Sequence, residues 1–141
     1  MKFNFKNIDI LIHNVGGGGR WGKEDILNTD DDVWDDVYNK NNFGIRTFNK
    51  AFLPSMIKKR WGRIIAITSI SGIEVKEHDR VWFNAAKSSE IAIMKSFSKK
   101  KVFTKKNITF NSISPGPILI KNTGWDELKK KNPRKFNKFY E

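Results

Sequence analysis

The sequence of 141 residues is 38% hydrophobic, 30% charged and 13% aromatic, which is typical of one globular domain and argues against disorder. It contains no cysteine, which excludes a disulfide, a thiolate zinc site and a cysteine nucleophile, and its two histidines predict no metal site. No apolar run approaches the roughly 20 residues of a membrane span, so we expect a soluble cytoplasmic protein with no membrane partner.

The chain is strongly basic, with 27 Lys and Arg against 15 Asp and Glu and a net charge of +12. Acidic residues gather at 30–36, before and within the start of a predicted helix, whereas lysines gather at 99–106 near a helix end and in the tail. This placement suits the helix dipole, which favours acids at the N-terminus and bases at the C-terminus. A solvated basic surface is therefore favoured over nucleic-acid binding, which stays open as an alternative.

The predicted elements alternate between strand and helix along the chain. Apolar runs bounded by turn residues predict three strands, at residues 8–12, 63–68 and 107–113. Apolar residues at helical spacing predict a long helix at 30–60, capped by Thr29 or Asp30, and a second at 80–101. The last twenty residues are basic and predict a mixture of loop and helix.

This order of elements predicts an α/β fold with a parallel sheet. Crossovers between parallel strands are right-handed in about 98% of cases, so three strands in sequence order place both helices on one face. The second strand is apolar on both sides, which predicts cover on its other face as well. Either preceding units of the protein or a partner would supply that cover.

A glycine-rich loop follows the first strand. Residues 17–22 satisfy the dinucleotide pattern G-x-G-x-x-G, and extension to Lys23 nearly spells a P-loop. Both motifs need a helix that begins directly at the loop, but the best helix start is Asp30. A P-loop also needs Ser or Thr after the lysine, where Glu24 stands. A flexible glycine loop beside a site is therefore the favoured interpretation.

Five segments, in order, resemble motifs of the short-chain dehydrogenase/reductase family. Residues 10–16 (ILIHNVG) are similar to the segment after the family's fourth strand, and Phe83 and Lys87 stand where Tyr-x-x-x-Lys is expected. The remaining three segments are residues 34–44, residues 53–69 and residues 111–118.

The resemblance covers about residues 8–120 and implies a partial Rossmann-type parallel sheet that corresponds to strands 4 to 6 of the family. The complete fold would be a three-layer sandwich. On this basis residues 1–120 are the C-terminal portion of an NAD(P)-binding domain, and residues 121–141 form a basic substrate-loop and tail segment.

The resemblance also implies roles for individual residues. Ser69 would hydrogen-bond the substrate oxygen, Lys87 would hold the nicotinamide ribose, and Asn41 would support Lys87 through a water. Phe83 fills the position of the family's proton donor. The residues expected to contact NAD or NADP are Asn14, Gly16, Lys87, Pro115, Gly116 and Ile118.

The chain departs from the family at two points. Phe83 has no proton to give, which leaves an inactive homologue, a different donor such as His78 or water, or a subgroup that uses Phe. The glycine-rich first turn of the family and the residue that selects NAD or NADP are also absent. We therefore expect the chain alone to be inactive and to bind NAD(P) only weakly.

Two functions are compatible with these motifs and departures. The first is an oxidoreductase that, in its complete form, transfers a hydride between NAD(P) and a small alcohol or carbonyl substrate. The alternative is a catalytically inactive binding or scaffold subunit that dimerises with a homologue. In either case the resemblance implies an oligomer that pairs through the helices at 30–60 and 80–101.

Overall fold

The computed structural model of the protein describes residues 8–19, 21–23, 25–76 and 80–138. Three parallel strands, β1 (Ile10–His13), β2 (Gly62–Ile67) and β3 (Ile108–Ile113), form one sheet in that order. Two long helices, α1 (Asp31–Lys59) and α2 (Val81–Ser98), connect them, and a 3-10 turn (Ile70–Gly72) follows β2. The prediction of an α/β fold with a parallel sheet is confirmed. The short helices are α3 (Lys101–Thr104), α4 (Gly124–Lys131) and α5 (Pro133–Asn137).

Both long helices pack on the same face of the sheet. On that face the buried side chains of Ile64 and Phe110 join Ile45 of α1 and Met94 of α2 in one hydrophobic core. The opposite face is open in the described residues. Its exposed side chains include the apolar Ile10 (55% exposed), Ile12 (56%) and Ile113 (52%) and the polar Asn111. The predicted one-sided cover is therefore confirmed, and what covers the open face stays a prediction.

The second helix ends earlier than the predicted bound at residue 101. It ends at Ser98, Lys100 adopts an extended backbone with ψ 120°, and α3 follows as a separate turn. This turn brings Phe103 back to the sheet, where its ring lies 5.1 Å from that of Phe110 and 6.0 Å from that of Phe97. Burial of a large aromatic ring outweighs continuation of an exposed, lysine-rich helix end.

The first long helix begins where it was predicted, but its capping differs. Asp30 is the N-cap residue, yet its side chain makes no capping hydrogen bond. The Thr29 hydroxyl donates instead to the carbonyl of Asp25 (2.8 Å) and accepts from the amide of Lys23 (3.0 Å). Thr29 therefore orders the loop before α1 rather than the helix itself.

Two short helices in the C-terminal segment pack against each other. Trp125 of α4 and Phe136 of α5 contact each other edge to face, with ring centroids 6.4 Å apart. The predicted mixture of loop and helix agrees with these two short helices. A division of the chain at residue 120 stays a prediction, and Phe139 lies outside the described residues.

The close packing of the glycine loop against α1 can be tested by substitution of Gly18. Gly18 has a φ of 92°, and an added Cβ would lie 2.7 Å from Cγ2 of the fully buried Val37. We expect Gly18→Ala to lower the free energy of unfolding by about 1–3 kcal/mol, measured by urea denaturation. Gly116 is the matched control, because among the described residues no atom beyond its own chain neighbours lies within 4 Å of a Cβ there. Gly116→Ala should change the free energy of unfolding by at most about 0.5 kcal/mol. Equal losses in both variants would contradict the close packing of Gly18 against Val37.

Candidate active site

The loop after β1 meets both long helices beyond the carboxyl end of that strand. Ligands of open α/β folds bind at this edge, because loops from neighbouring strands meet there. A Cβ added to Gly16 would lie 2.5 Å from Oδ1 of Asn41 and 2.9 Å from Nζ of Lys87. Gly16 thus lets the backbone approach two side chains from different helices, and three of the predicted site residues come together at this point.

Asn41 fastens the glycine loop to α1. Its side chain is buried, and its Nδ2 donates to the carbonyls of Val37 (2.6 Å) and Gly17 (2.9 Å). Its Oδ1 accepts a hydrogen bond from the amide of Gly17 at 3.1 Å. The hydrogen bond to Val37, one turn earlier in the helix, orients the side-chain amide of Asn41 so that it bonds to both the N–H and the C=O of Gly17. Its contact with Lys87 through a water stays a prediction.

Lys87 lies on the inner side of α2 and is only 5% exposed. Its Nζ donates to Oε2 of Glu90 at 3.0 Å and lies 5.8 Å from the ring centroid of Phe83. A Cβ added to Gly72 would lie 2.8 Å from the carbonyl carbon of Lys87, so the turn after β2 packs directly on this part of α2. The lysine is therefore held in place by packing and by one carboxylate.

Glu90 is a site residue that the sequence motifs did not identify. It is 2% exposed, and burial raises the pKa of its carboxyl to about 7, although the charge and hydrogen bond of Lys87 act in the opposite direction. A signal was present in the sequence. Glu90 interrupts a stripe of buried residues with a spacing of four, formed by Trp82, Ala86 and Met94. An acid in such a stripe needs a buried partner.

Phe83 lies beside the glycine loop, one helical turn before Lys87. Its half-buried ring would lie 3.3 Å from a Cβ at Gly19. The ring has no proton to donate, so it contributes shape and apolar surface to the site. His78, the side chain considered as another proton donor, lies outside the described residues.

Ser69 follows β2 and caps the 3-10 turn, where its Oγ accepts a hydrogen bond from the amide of Ser71 at 3.2 Å. The next residue, Ile70, donates its amide to the carbonyl of Pro115 at 2.9 Å. The loops after β2 and β3 are therefore joined directly. The other predicted cofactor contacts are exposed at loop positions, namely Asn14, Gly116 and Ile118.

The rest of the glycine loop serves packing rather than a helix N-terminus. Helix α1 begins at Asp31, well beyond Gly22. A Cβ at Gly22 would lie 2.7 Å from Thr29 and 2.8 Å from Trp82, whose indole Nε1 donates to the carbonyl of Trp21 at 3.0 Å. This geometry agrees with a glycine loop beside a site and not with a P-loop or a dinucleotide fingerprint.

Two kinds of feature were not found in the described part of the chain. None of its helices has the length and apolar character to cross a membrane. Residues 8–19, 21–23, 25–76 and 80–138 also contain no group of three or more His, Asp or Glu side chains that could hold a metal ion.

Comparison with known proteins identifies the family. The family model for short chain dehydrogenases matches residues 1–131. This chain belongs to the short-chain dehydrogenase family. The resemblance found in the sequence is therefore confirmed, as is the Rossmann-type fold class.

Individual members of the short-chain dehydrogenase family show the extent of the match. The chain is 33% identical to the 3-oxoacyl-acyl-carrier-protein reductase FabG of Haemophilus influenzae over 124 residues, which are 87% of this chain and 48% of that protein. It is 31% identical to the mouse dehydrogenase/reductase SDR family member 7, over 89% of this chain and 37% of that protein. The chain thus spans about half the length, or less, of these curated relatives.

Solved structures agree with the family fold. A structure titled as a putative short-chain dehydrogenase/reductase from Burkholderia xenovorans superposes with a TM-score of 0.74 and 27% identity, over 93% of this chain and 48% of that one. A xylitol dehydrogenase described as NAD+-bound superposes with a TM-score of 0.68 and 26% identity, over 79% of this chain and 42% of that one. The three-stranded sheet with its two helices is therefore a recognisable part of the larger fold.

Proposed function

We propose that this protein forms the substrate side of a cytoplasmic NAD(P)-dependent oxidoreductase that transfers a hydride between an alcohol and a carbonyl compound. The observation that carries the proposal is the meeting of Asn41 and Lys87 at the backbone of Gly16. A FabG relative named as a 3-oxoacyl reductase and a neighbour described as NAD+-bound support this class of substrate and cofactor.

The site has features that suit the nicotinamide end of such a cofactor. Because Gly16 has no Cβ, its backbone lies directly against the side chains of Asn41 and Lys87, and Lys87 is a buried cation. When bound, NAD(P) would supply or accept the hydride. Lys87 would hold its ribose hydroxyls, while Asn14 and the loop from Pro115 to Ile118 would flank the ring. In the described residues the glycine loop does not open a helix, so this part of the chain offers the pyrophosphate no such cradle.

The proposed roles of the chain's own residues follow from their chemistry. The Ser69 hydroxyl would donate a hydrogen bond to the substrate oxygen as negative charge develops on it. The Lys87 ammonium would stabilise the same charge, and its burial makes that interaction stronger than it would be in water. Asn41 would keep the glycine loop, and with it the approach to the site, in one position.

The proposed function predicts turnover that depends on Ser69. In the longest natural form that carries these 141 residues, oxidation of NADH or NADPH with a panel of small carbonyl compounds should be measurable at 340 nm. Ser69→Ala should lower kcat by about 10²-fold, because one donor to the developing oxyanion is lost. Ser98→Ala is the matched control, since the Ser98 hydroxyl is bonded to Lys95 at the far end of α2. Equal rates for both variants would contradict the role of Ser69.

The 141-residue chain alone should bind nucleotide weakly, because the glycine loop offers no phosphate cradle at a helix start. The rings of Trp34 and Trp82 lie 5.8 Å apart near the glycine loop, so quenching of their fluorescence reports nucleotide binding. We expect no saturation by NADH or NADPH at micromolar concentrations. Saturation in that range would show that other residues bind the phosphates.

A binding or scaffold subunit is the second candidate function, and two observations favour it. Phe83 occupies the position of the proton donor, and α1 exposes three large aromatic side chains to solvent. These are Tyr38 (47% exposed), Phe43 (55%) and Phe48 (43%). Under this proposal α1 and α2 pair with a second copy or a homologue. A stable dimer by light scattering, together with no turnover in either the natural form or Phe83→Tyr, would favour the scaffold.

A further inference from the structure

Glu90 is a buried acid that the proposed roles above do not use. It lies on the inner side of α2 among Trp82, Ala86 and Met94, and its exposed fraction is 2%. Burial of a carboxyl group in such a position is costly unless a partner compensates for the lost hydration. Its presence therefore requires an explanation.

The partner of Glu90 is the lysine of the candidate active site. Oε2 of Glu90 lies 3.0 Å from Nζ of Lys87, and both side chains are buried. The same Nζ lies against the backbone of Gly16, 2.9 Å from where a Cβ would stand, and 5.8 Å from the centre of the Phe83 ring. Glu90 is thus connected to the reaction site through one group, and that group carries exchangeable protons.

Other charged groups do not compete for this position in the described residues. The buried titratable side chains there are His13, Lys87 and Glu90. Nε2 of His13, at the end of β1, lies 3.2 Å from Oδ1 of Asn49 on α1. The elements packed against α2, namely α1, β2, β3 and the 3-10 turn, otherwise present no buried charge among the residues described.

We propose that Glu90 is a positioning residue that holds the proton delivered through Lys87 during carbonyl reduction, in a site where Phe83 cannot donate one. This inference rests on the proposed function. Because Phe83 cannot donate a proton, another proton source is needed, and this inference assigns that source to Glu90. General acid catalysis requires a proton within hydrogen-bond reach of the reacting oxygen, directly or through one water, and Lys87 is the group placed to deliver it.

The step balances with the groups named. The carbonyl carbon would gain a hydride, which is the chemistry that a bound reduced nucleotide would supply, and the carbonyl π electron pair would move to the oxygen. That oxygen takes a proton from Nζ of Lys87, directly or through a water, and the resulting amine takes the carboxyl proton of Glu90. The carboxylate then regains a proton from solvent. In the oxidation direction each proton moves the opposite way.

The pKa of Glu90 supports this role. Burial raises it to about 7, so the carboxyl keeps its proton up to near-neutral pH. The reduction rate should therefore fall as the pH rises through about 7. A glutamic acid with the ordinary pKa of 4.5 would already be deprotonated at that pH.

The first test needs no turnover. In the chain labelled with ¹³C at glutamate carboxyl groups, we expect one signal that titrates near pH 7 and is absent in Glu90→Gln. The ¹⁵N signal of Lys87 Nζ should shift with the same midpoint and stay constant in Glu90→Gln. A Glu90 midpoint near 4.5 would overturn the inference, because no proton would be held at working pH.

The second test compares Glu90→Gln in two backgrounds of the longest natural form. With Phe83 present, we expect Glu90→Gln to lower kcat by about 10²-fold and to flatten the pH profile, while Glu90→Asp restores part of both. With Phe83→Tyr, the phenol supplies the proton, so the same change should cost only about threefold. Equal losses in the two backgrounds would show a merely structural pair and overturn the inference.

The same comparison separates this inference from the proposed function. Turnover in Phe83→Tyr but not in the natural form would overturn the role of Glu90 and leave the family chemistry intact. No turnover in either form would overturn the proposed function and, with it, the delivery of a proton to substrate.

Discussion

Replacing Phe83 with tyrosine should raise the rate of carbonyl reduction by about 10²-fold. A positioned general acid contributes roughly 10²–10⁴ in rate, and the lower figure applies because the Lys87–Glu90 pair already supplies a proton. The new hydroxyl would extend from a ring whose centroid is 5.8 Å from Nζ of Lys87, and the ammonium would lower the phenol's pKa. The measurement is kcat for NADH- or NADPH-dependent reduction in the longest natural form.

Phe83→Leu provides the control for this prediction. It changes the apolar surface beside Gly19 without adding a donor, so it should not raise kcat. A Phe83→Tyr protein that binds nucleotide normally but is no faster than Phe83→Leu would exclude a proton-transfer role for this position.

Removing the carboxylate of Glu90 should cause the largest loss of stability. Above the pKa of Glu90, which is about 7, the carboxyl is ionised, so Glu90→Ala then leaves the Lys87 ammonium buried without its ion-pair partner. Breaking a buried pair in this way costs about 3–5 kcal/mol. Urea denaturation monitored by circular dichroism measures the change. The double replacement Lys87→Met with Glu90→Leu should recover most of the loss, because apolar residues of similar volume often replace a buried ion pair without cost.

An exposed ion pair in α4 gives the control. Glu127 and Lys131 are 3.9 Å apart, and their side chains are 62% and 80% exposed. Glu127→Ala should therefore change the free energy of unfolding by less than about 1 kcal/mol. A similar small change for Glu90→Ala would mean that Lys87 reaches solvent when its partner is lost.

Local sequence patterns were sufficient for the order of elements and for most of the candidate site. The apolar run of β2 and the helical spacing in α1 and α2 are properties of neighbouring residues, so they can be read without knowledge of the fold. The motif residues Asn41, Ser69 and Lys87 are recognised for a similar reason, since their identity and spacing are written directly in the chain. Their catalytic roles stay predictions.

Contacts between distant segments decided the points that local patterns missed. Helix α2 ends at Ser98 because Phe103 packs against Phe97 and Phe110. Phe110 belongs to β3, so the pattern of residues within the helix does not reveal this contact. The Thr29 hydroxyl donates a hydrogen bond to the carbonyl of Asp25 in the preceding loop, so it does not cap α1.

Phe83 and Glu90 show which properties of the site follow from the sequence and which follow only from the tertiary structure. The amino-acid sequence is enough to establish that residue 83 has no proton to give, because that is a property of the side chain alone. Only the tertiary structure reveals that Glu90 is buried against Lys87, because packing of α2 on α1 and the sheet removes water from both groups. The lost hydration raises the pKa of the carboxyl, and no pattern of neighbouring residues contains that information.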